Sequence, residues 1–520
     1  VVRCNRSLNA TLLSCSIASL LAHAATAQDC NIEVLENFDA LSGISPAAGV
    51  IQGTDGALYG TTWFGGANGW GTIFKMNTDG TGYTVLEDLD QTTGNQAGAL
   101  LQASDGALYG TAVYGGTYNG GTIFKLNTDG TGFTVLVNLG LATTGEYPYA
   151  GLIQGSDGAL YGTASAGGAH NYGTVFKLNT DGSGFTDLLD FDYTNTGANP
   201  FGSLMQLSYD GMLYGTAWAG GSQYDGTVFK LNTDGTGFAV IVNFSSQTGN
   251  APVAGLIPFG VFVIGVTSRG PQGGGGELFG VAFDGSGYTD VFDFDGSAAG
   301  TTGYSPRSVL LERNGALYGV TSQGGSSGDG TLFEYSFDSG FRVVAAFDGA
   351  NSGAAPLGGL IQGADGNFYG TTSSGGPNTW TGNVFSFTPI YANWNNYGSG
   401  TLGTSGHVPN FVSSAAPVIG TTITMAVDNS RGSITNGILI VGLSEASINL
   451  KNWGGTLLVG NIIAVFPIAL PAAGFSFDGQ IPDDPCSDGF EADLQVLEFD
   501  PGAVDSVSFT PGLHLLFGLD

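Results

Sequence analysis

The sequence predicts an all-β protein: a seven-bladed β-propeller of four-stranded blades, the last closed by an N-terminal strand, followed by a small β-sandwich. Three observations predict it. A unit of about fifty residues recurs seven times, each unit divides into four strand-like stretches, and the strand missing from the last unit lies at the other end of the chain. Periods of this size belong to arrays in which each unit buries its apolar faces against its neighbours.

The period is read from one position. Tyr59 recurs as Tyr109, Tyr161, Tyr214, Ile264, Tyr318 and Tyr369, with spacings of 50, 52, 53, 50, 54 and 51. Residues 149–192 show the unit most clearly: YAGLIQGSDGALYGTASAGGAHNYGTVFKLNTDGSGFTDLLDFD. AGLIQ is the first strand, and Ser-Asp-Gly turns the chain into the second, ALYGT. A loop containing Gly-Gly leads to the third strand, GTVFKLN, and a second Asp-Gly turn leads to the fourth. Asp-Gly between β-rich stretches is a hairpin signal, because glycine accepts the positive φ such turns need. No stretch carries helical spacing of apolar residues, which excludes an α-solenoid.

In chain order, residues 1–27 read as an export signal. Arg3 and Arg6 precede the apolar stretch Leu8–Leu21, and Ala25-Thr26-Ala27 is a small-residue cleavage site. Residues 28–390 are the predicted propeller. The last unit, Leu357–Pro389, supplies strands one to three only, and NIEVLENFD at Asn31–Asp39 matches the fourth strand YTVLEDLD at Tyr83–Asp90. An N-terminal strand completing the last blade removes an exposed edge; an open β-solenoid is the competing reading. Residues 391–407 read as a polar, Gly-rich linker. Residues 408–520 carry short apolar runs, including Leu457–Leu470, in which Pro467 argues for two buried strands rather than a membrane span. If the first 27 residues are removed, Cys30 and Cys486 remain, and an exporting compartment permits a disulfide between them.

Composition narrows the partners. The chain has 520 residues, 43 acidic against 12 basic, for a net charge of −31. Such a surface repels nucleic acid and anionic membranes. The expected state is a monomer without cofactor, metal or nucleic acid, its partner a glycan or a protein.

Strand alternation places the one–two and three–four turns on one face. The two–three loops and the connectors between units share the other, where nearly all the length variation falls and where ligands usually bind. Its aromatics are unevenly spread. Trp63 and Trp70 lie in unit one, Tyr114 and Tyr118 in unit two, Tyr172 beside His170 in unit three, Trp218 and Tyr224 in unit four, and Trp380 in unit seven; the loops of units five and six carry none. These eight residues form the candidate ligand-binding set, an aromatic arc able to stack on sugar faces or anchor a protein. Packing between blades is the competing account of the same rings.

Other recurring residues read as structural. The lysines at 75, 125, 177 and 230 are expected to lay their stems across the neighbouring strand and pair with local acid. Asn-Thr-Asp-Gly, as at Asn127–Gly130, has oxygen ligands but lacks the spacing of a calcium loop, and a hairpin turn explains it. Catalytic motifs are missing: there is no G-x-S-x-G, and His170, His407 and His514 are scattered. Paired carboxylates of a glycoside hydrolase or lyase stay open on sequence grounds, as does a purely structural surface role.

The units LIQGSDGALYGT…GG…GTVFKLNTDGTGF resemble the GloVer tandem repeat of bacterial "choice-of-anchor" exported proteins over Ala47–Pro389. The resemblance implies a secreted or surface-associated protein. The tail, with Ile481–Pro485 and Leu497–Ala503, loosely resembles C-terminal β-domains of secreted bacterial proteins.

Overall fold

The computed structural model describes residues 32–516 apart from 141–143, 272–273, 297–301, 338–339, 378–379, 390–392, 398, 402–407, 419–421, 432, 451–454, 481–490, 501–502 and 504–506. Residues 1–27, expected from the sequence to be an export signal, and both Cys30 and Cys486 lie outside the described residues. The chain divides into two compact units, Ile32–Thr388 and a second containing Pro389–Asp520. The described residues are all-β, and no helix among them is long and apolar enough to cross a membrane.

Ile32–Thr388 folds into seven antiparallel sheets, one per repeat, in a propeller-like arrangement. Sheet three is representative: Ile153–Gln154, Leu160–Ala164, Thr174–Leu178 and Thr186–Asp190 pair in sequence order. Its first turn shows why the repeat is spelled as it is. Asp157 accepts hydrogen bonds from the Ala159 amide (3.1 Å), the Tyr161 hydroxyl (2.8 Å) and Lys177 Nζ (2.7 Å), while Gly158 takes φ +83°. Lys177 stands opposite Tyr161 in the ladder, with Nζ 5.2 Å from the ring centroid. The same trio recurs as Asp55, Tyr59 and Lys75 and as Asp105, Tyr109 and Lys125. Lys230 instead donates to the Phe283 carbonyl. In sheet six the lysine position holds Glu334, which accepts from Tyr318 and pairs with buried Arg342. In the Leu-Tyr-Gly-Thr strand, a Cβ on Gly162 would lie 2.6 Å from Phe176 Cζ, so only glycine leaves room for the facing ring.

Packing between sheets repeats as faithfully. A phenylalanine after the fourth strand meets the third-strand phenylalanine of the next sheet: Phe191 with Phe229 at 5.2 Å, Phe244 with Phe279 at 5.0 Å, Phe294 with Phe333 at 5.1 Å and Phe347 with Phe385 at 5.1 Å between ring centroids. Leu89 and Leu139 occupy the same place against Phe124 and Phe176.

Sheet seven is completed from the N-terminal side: Ile32–Asn37 pairs antiparallel with Asn383–Phe387. The following residue, Phe38, then meets Phe74 of sheet one at 5.3 Å, in the pattern of the internal junctions. Polar contacts agree. Thr371 donates to the Ala48 carbonyl at 2.9 Å, as Thr111 does to that of Ala150 at 2.9 Å. The Ala364 amide donates to Gln52 Oε1 at 2.9 Å, as the Ser104 amide does to Gln154 Oε1 at 2.8 Å. Unit five, which lacks Asp-Gly at its first turn, still forms a four-stranded sheet, with Gly260 at φ +59° between Phe259 and Phe262.

Among the described residues, the second unit contains a six-stranded and a three-stranded sheet. Phe411, Ile423, Met425 and Phe477 from the smaller share one core with Leu439, Val441, Leu494, Val496 and Leu513 from the larger. Two sequence expectations change here. Residues 393–397, inside the expected linker, form a strand paired with Gly512–Leu516, and Tyr397 donates its hydroxyl to the Leu458 carbonyl at 2.8 Å. The run expected to make two strands is instead part of one, Gly455–Leu470, paired with Thr435–Leu450. It lies at the sheet edge, where the donor missing at Pro467 is tolerated.

Candidate functional site

Each connector between units holds a non-glycine residue at positive φ at one equivalent position, directly before proline in six of the seven. These are Ser45, Gln96, Tyr147, Asn199, Ala251, Ser305 and Ala355, with φ between 50° and 60°. The left-handed region is uncommon for such residues, and the surroundings must hold them there. Backbone hydrogen bonds do so. The Tyr147 amide donates to the Gly120 carbonyl (2.7 Å), and that of Asn199 to the Tyr172 carbonyl (2.9 Å). Their own carbonyls accept in turn: Ser45 from the Trp63 amide (3.2 Å), Asn199 from the Trp218 amide (3.1 Å) and Ala251 from the Ser268 amide (3.1 Å).

This frame presents residues of six units to a common space. A cavity of about 460 Å³ is lined by Ala47, Tyr149, Phe201, Val253, Arg307 and Leu357 from the connectors, together with Trp63, Trp218, Ser268 and Arg269 from the start of the two–three loops. The six connector residues all follow a proline and are equivalent positions of six different units. The volume falls within the range of about 300–1,000 Å³ usual for small-ligand sites.

Aromatic rings form a connected wall. Tyr149 meets Phe201 edge-on at 5.1 Å, and Phe201 meets Trp218 edge-on at 6.0 Å. The Tyr149 and Tyr114 hydroxyls lie 3.0 Å apart, and the Tyr114 ring is 5.1 Å from that of Tyr147. Burial, then the bond to Tyr114, pushes the Tyr149 phenol well above its ordinary range, so it stays a neutral hydroxyl. Sheets five and six contribute two exposed guanidiniums, Arg269 and Arg307. Neither makes an ion pair among the described residues; Arg307 Nε donates to Ser305 Oγ at 3.2 Å. The lining supplies stacking faces, guanidinium donors and the Ser268 hydroxyl, and no carboxylate.

The eight aromatics picked out from the sequence fall into separate groups. Trp63 and Trp218 line the cavity, and Tyr114 touches it through Tyr149. Exposed Tyr172 and Tyr224 form a group of their own with half-buried Tyr193, whose ring lies 5.1 Å from that of Tyr172, tilted, and 6.1 Å from that of Tyr224, stacked. Trp70, Tyr118 and Trp380 are exposed on their loops. Sequence reasoning missed Tyr149, Phe201, Arg269 and Arg307; for Tyr149, Phe201 and Arg307 the signal available was variation after the connector proline within an otherwise uniform frame, while Arg269 stands at the start of a two–three loop, outside that signal. No group of three or more His, Cys, Asp or Glu among the described residues is placed to hold a metal ion.

Repeat, sheet order and cavity together define a propeller-like tandem-repeat protein. The chain belongs to the Gloeobacter/Verrucomicrobia repeat family, whose sequence profile matches residues 23–208, 86–279 and 206–435. No curated protein sequence matches the chain. Among solved structures it is similar to PorZ, described as an essential surface component of the type-IX secretion system of Porphyromonas gingivalis, with 13% identity and a TM-score of 0.42 over 92% of this chain and 60% of that one. The chain thus spans 60% of the length of that relative. It is also similar to the BP39L lectin of Burkholderia pseudomallei, at 12% identity and TM-score 0.43 over 66% of this chain and 99% of the lectin. An α-L-arabinofuranosidase of Clostridium thermocellum matches at 14% identity and TM-score 0.31 over 63% and 99%. At these identities the likenesses carry no argument about function.

Proposed function

We propose that the chain is an exported, surface-associated, non-enzymatic propeller that binds glycan in the cavity on its connector face. In this reading the seven sheets are seven blades of one closed ring. The support is that the junction of sheets seven and one uses the same phenylalanine, threonine and glutamine contacts as the internal junctions. The second unit is a β-sandwich serving attachment or display, since its two sheets share one core.

The observation that carries the binding reading is convergence. Six units bring equivalent residues to one cavity, and Trp63, Tyr149, Phe201 and Trp218 offer flat faces beside polar groups, the chemistry that takes a pyranose. A glycosidase needs two carboxylates flanking the scissile bond, and this lining contributes none. The test is a glycan array probed with the purified chain, with Trp63→Ala and Trp218→Ala. Binding by the wild type and its loss in both variants is the expected result. No binding by the folded wild type, or equal binding by the variants, defeats the reading.

A protein partner is the second reading, favoured by exposed Tyr172 and Tyr224 grouped on Tyr193, since tyrosine is enriched at interface anchors. It predicts that Tyr224→Ala, and not Trp218→Ala, weakens attachment.

A further inference from the structure

We propose that the cavity selects acidic saccharides, with Arg269 and Arg307 receiving the carboxylate of a uronic acid whose ring packs on the aromatic wall. This inference rests on the reading of the cavity as a glycan site and names its substrate class.

Cations are scarce in this chain, 12 against 43 acids, so their placement is informative. Lys75, Lys125 and Lys177 are each held by an aspartate, and Arg342 by Glu334. Lys230 is held by a backbone carbonyl. Arg269 and Arg307, like the exposed Arg313 and Arg431, have no carboxylate partner among the described residues, and what sets the first two apart is that both line the same cavity. Units five and six, whose loops lack aromatics, are the units that supply them.

Their backbone sites are built. Arg307 stands two residues after Ser305, which is fixed at φ 58°, and the Ser305 hydroxyl accepts from its Nε. Arg269 follows Ser268, whose amide is tied to the Ala251 carbonyl, and its own amide and carbonyl are bonded across to Asn250. Two guanidiniums on fixed backbone, both free of acid, match a carboxylate, because the planar fork donates two parallel hydrogen bonds. The neighbouring Trp63, Phe201 and Trp218 have no use for a bare anion but cover the C–H face of a sugar. A carboxylate carried on a pyranose satisfies both sets of groups. Distant acids of the protein matter little at physiological salt, where screening acts within about 8 Å.

The test titrates the chain, at 0.15 M salt, with tri-galacturonate, its fully methyl-esterified form and inorganic phosphate. Calorimetry and tryptophan fluorescence are the readouts. The acid is expected to bind about tenfold or more tighter than the ester, the factor that one charge-assisted hydrogen-bond pair supplies. The double variant Arg269→Gln/Arg307→Gln, both positions exposed and so compatible with folding, is expected to bind acid and ester alike. Arg269→Lys/Arg307→Lys is expected to keep part of the preference, having charge without the fork. Equal binding of acid and ester by the wild type, or an acid preference that survives in the Gln variant, overturns the arginine assignment and leaves the glycan reading standing. Phosphate binding as tight as that of the acid also overturns it, since an anion site would need no sugar. If neither saccharide binds the folded chain, this assignment falls; the array decides separately whether another glycan occupies the cavity.

Discussion

Replacing Phe38 by alanine tests whether the N-terminal strand carries the same mechanical role as the fourth strands inside the chain. Phe38 is 1% exposed and joins a cluster with Val50, Leu58 and Phe74 of sheet one and Tyr369 and Val384 of sheet seven. Its ring also lies 6.1 Å from that of Tyr83. A buried phenylalanine covers about 150–250 Å², and its truncation in a packed core costs about 3–5 kcal/mol. Phe191 provides the internal comparison, fully buried against Phe229 at 5.2 Å. Urea unfolding followed by tryptophan fluorescence and far-UV circular dichroism should therefore give Phe38→Ala and Phe191→Ala losses that agree within about 1 kcal/mol, allowing for context. If the ring is closed as proposed, unfolding should also give one cooperative transition, because a closed array has no free end from which to fray. A loss below about 0.5 kcal/mol for Phe38→Ala, the size of a surface change, beside a loss of several for Phe191→Ala, would refute the reasoning.

Glu277 makes stability depend on pH. It replaces the buried threonine found at this position in most units, and burial pushes its carboxyl up to about 8 from an ordinary value near 4.5. The native chain thus holds a proton that the unfolded chain releases, so the contribution is complete below about pH 4.5 and is lost as pH rises through 8. Thermal unfolding should show a fall on the order of a few kcal/mol between pH 5 and pH 8.5, flattened in Glu277→Gln; an unchanged slope in that variant counts against the protonated carboxyl. Charge pairs should differ by burial. Lys177→Met, at a pair whose side chains are 29% and 39% exposed, should cost no more than about 1 kcal/mol. Arg342→Met strands the carboxylate of Glu334, 2% exposed, and should cost about 3–5 kcal/mol in the same unfolding assay; equal costs for the two would contradict the burial argument.

The blade pattern was legible because its signals are local. Asp-Gly turns, the glycine beneath the facing phenylalanine and the Tyr–Asp–Lys trio all act within a few residues or across one ladder. The pairing of the N-terminal strand with sheet seven was legible because Asn31–Asp39 repeats a fourth strand that the last unit lacks. The site was only half legible. Loop aromatics drew attention as one group, but Trp63 sits where a backbone bond to Ser45 turns it into the cavity, while Trp70, seven residues on, stands in solvent. Tyr149 and Phe201 read as connector residues, and Arg269 and Arg307 read as isolated charges; only the packing of one sheet beside the next brings them to one cavity. The linker strand at 393–397 pairs with residues 512–516, a separation over which no local pattern carries information.

Hydrogen–deuterium exchange on the chain with and without bound saccharide tests the central claim most directly, because it reports where the ligand sits. Slowed exchange in the connectors around Tyr147–Tyr149, Asn199–Phe201 and Ser305–Arg307, and in the strand ends at Trp63 and Trp218, is the predicted result. Protection confined to the loops carrying Trp70, Tyr172, Tyr224 and Trp380, with the connectors unchanged, would contradict it.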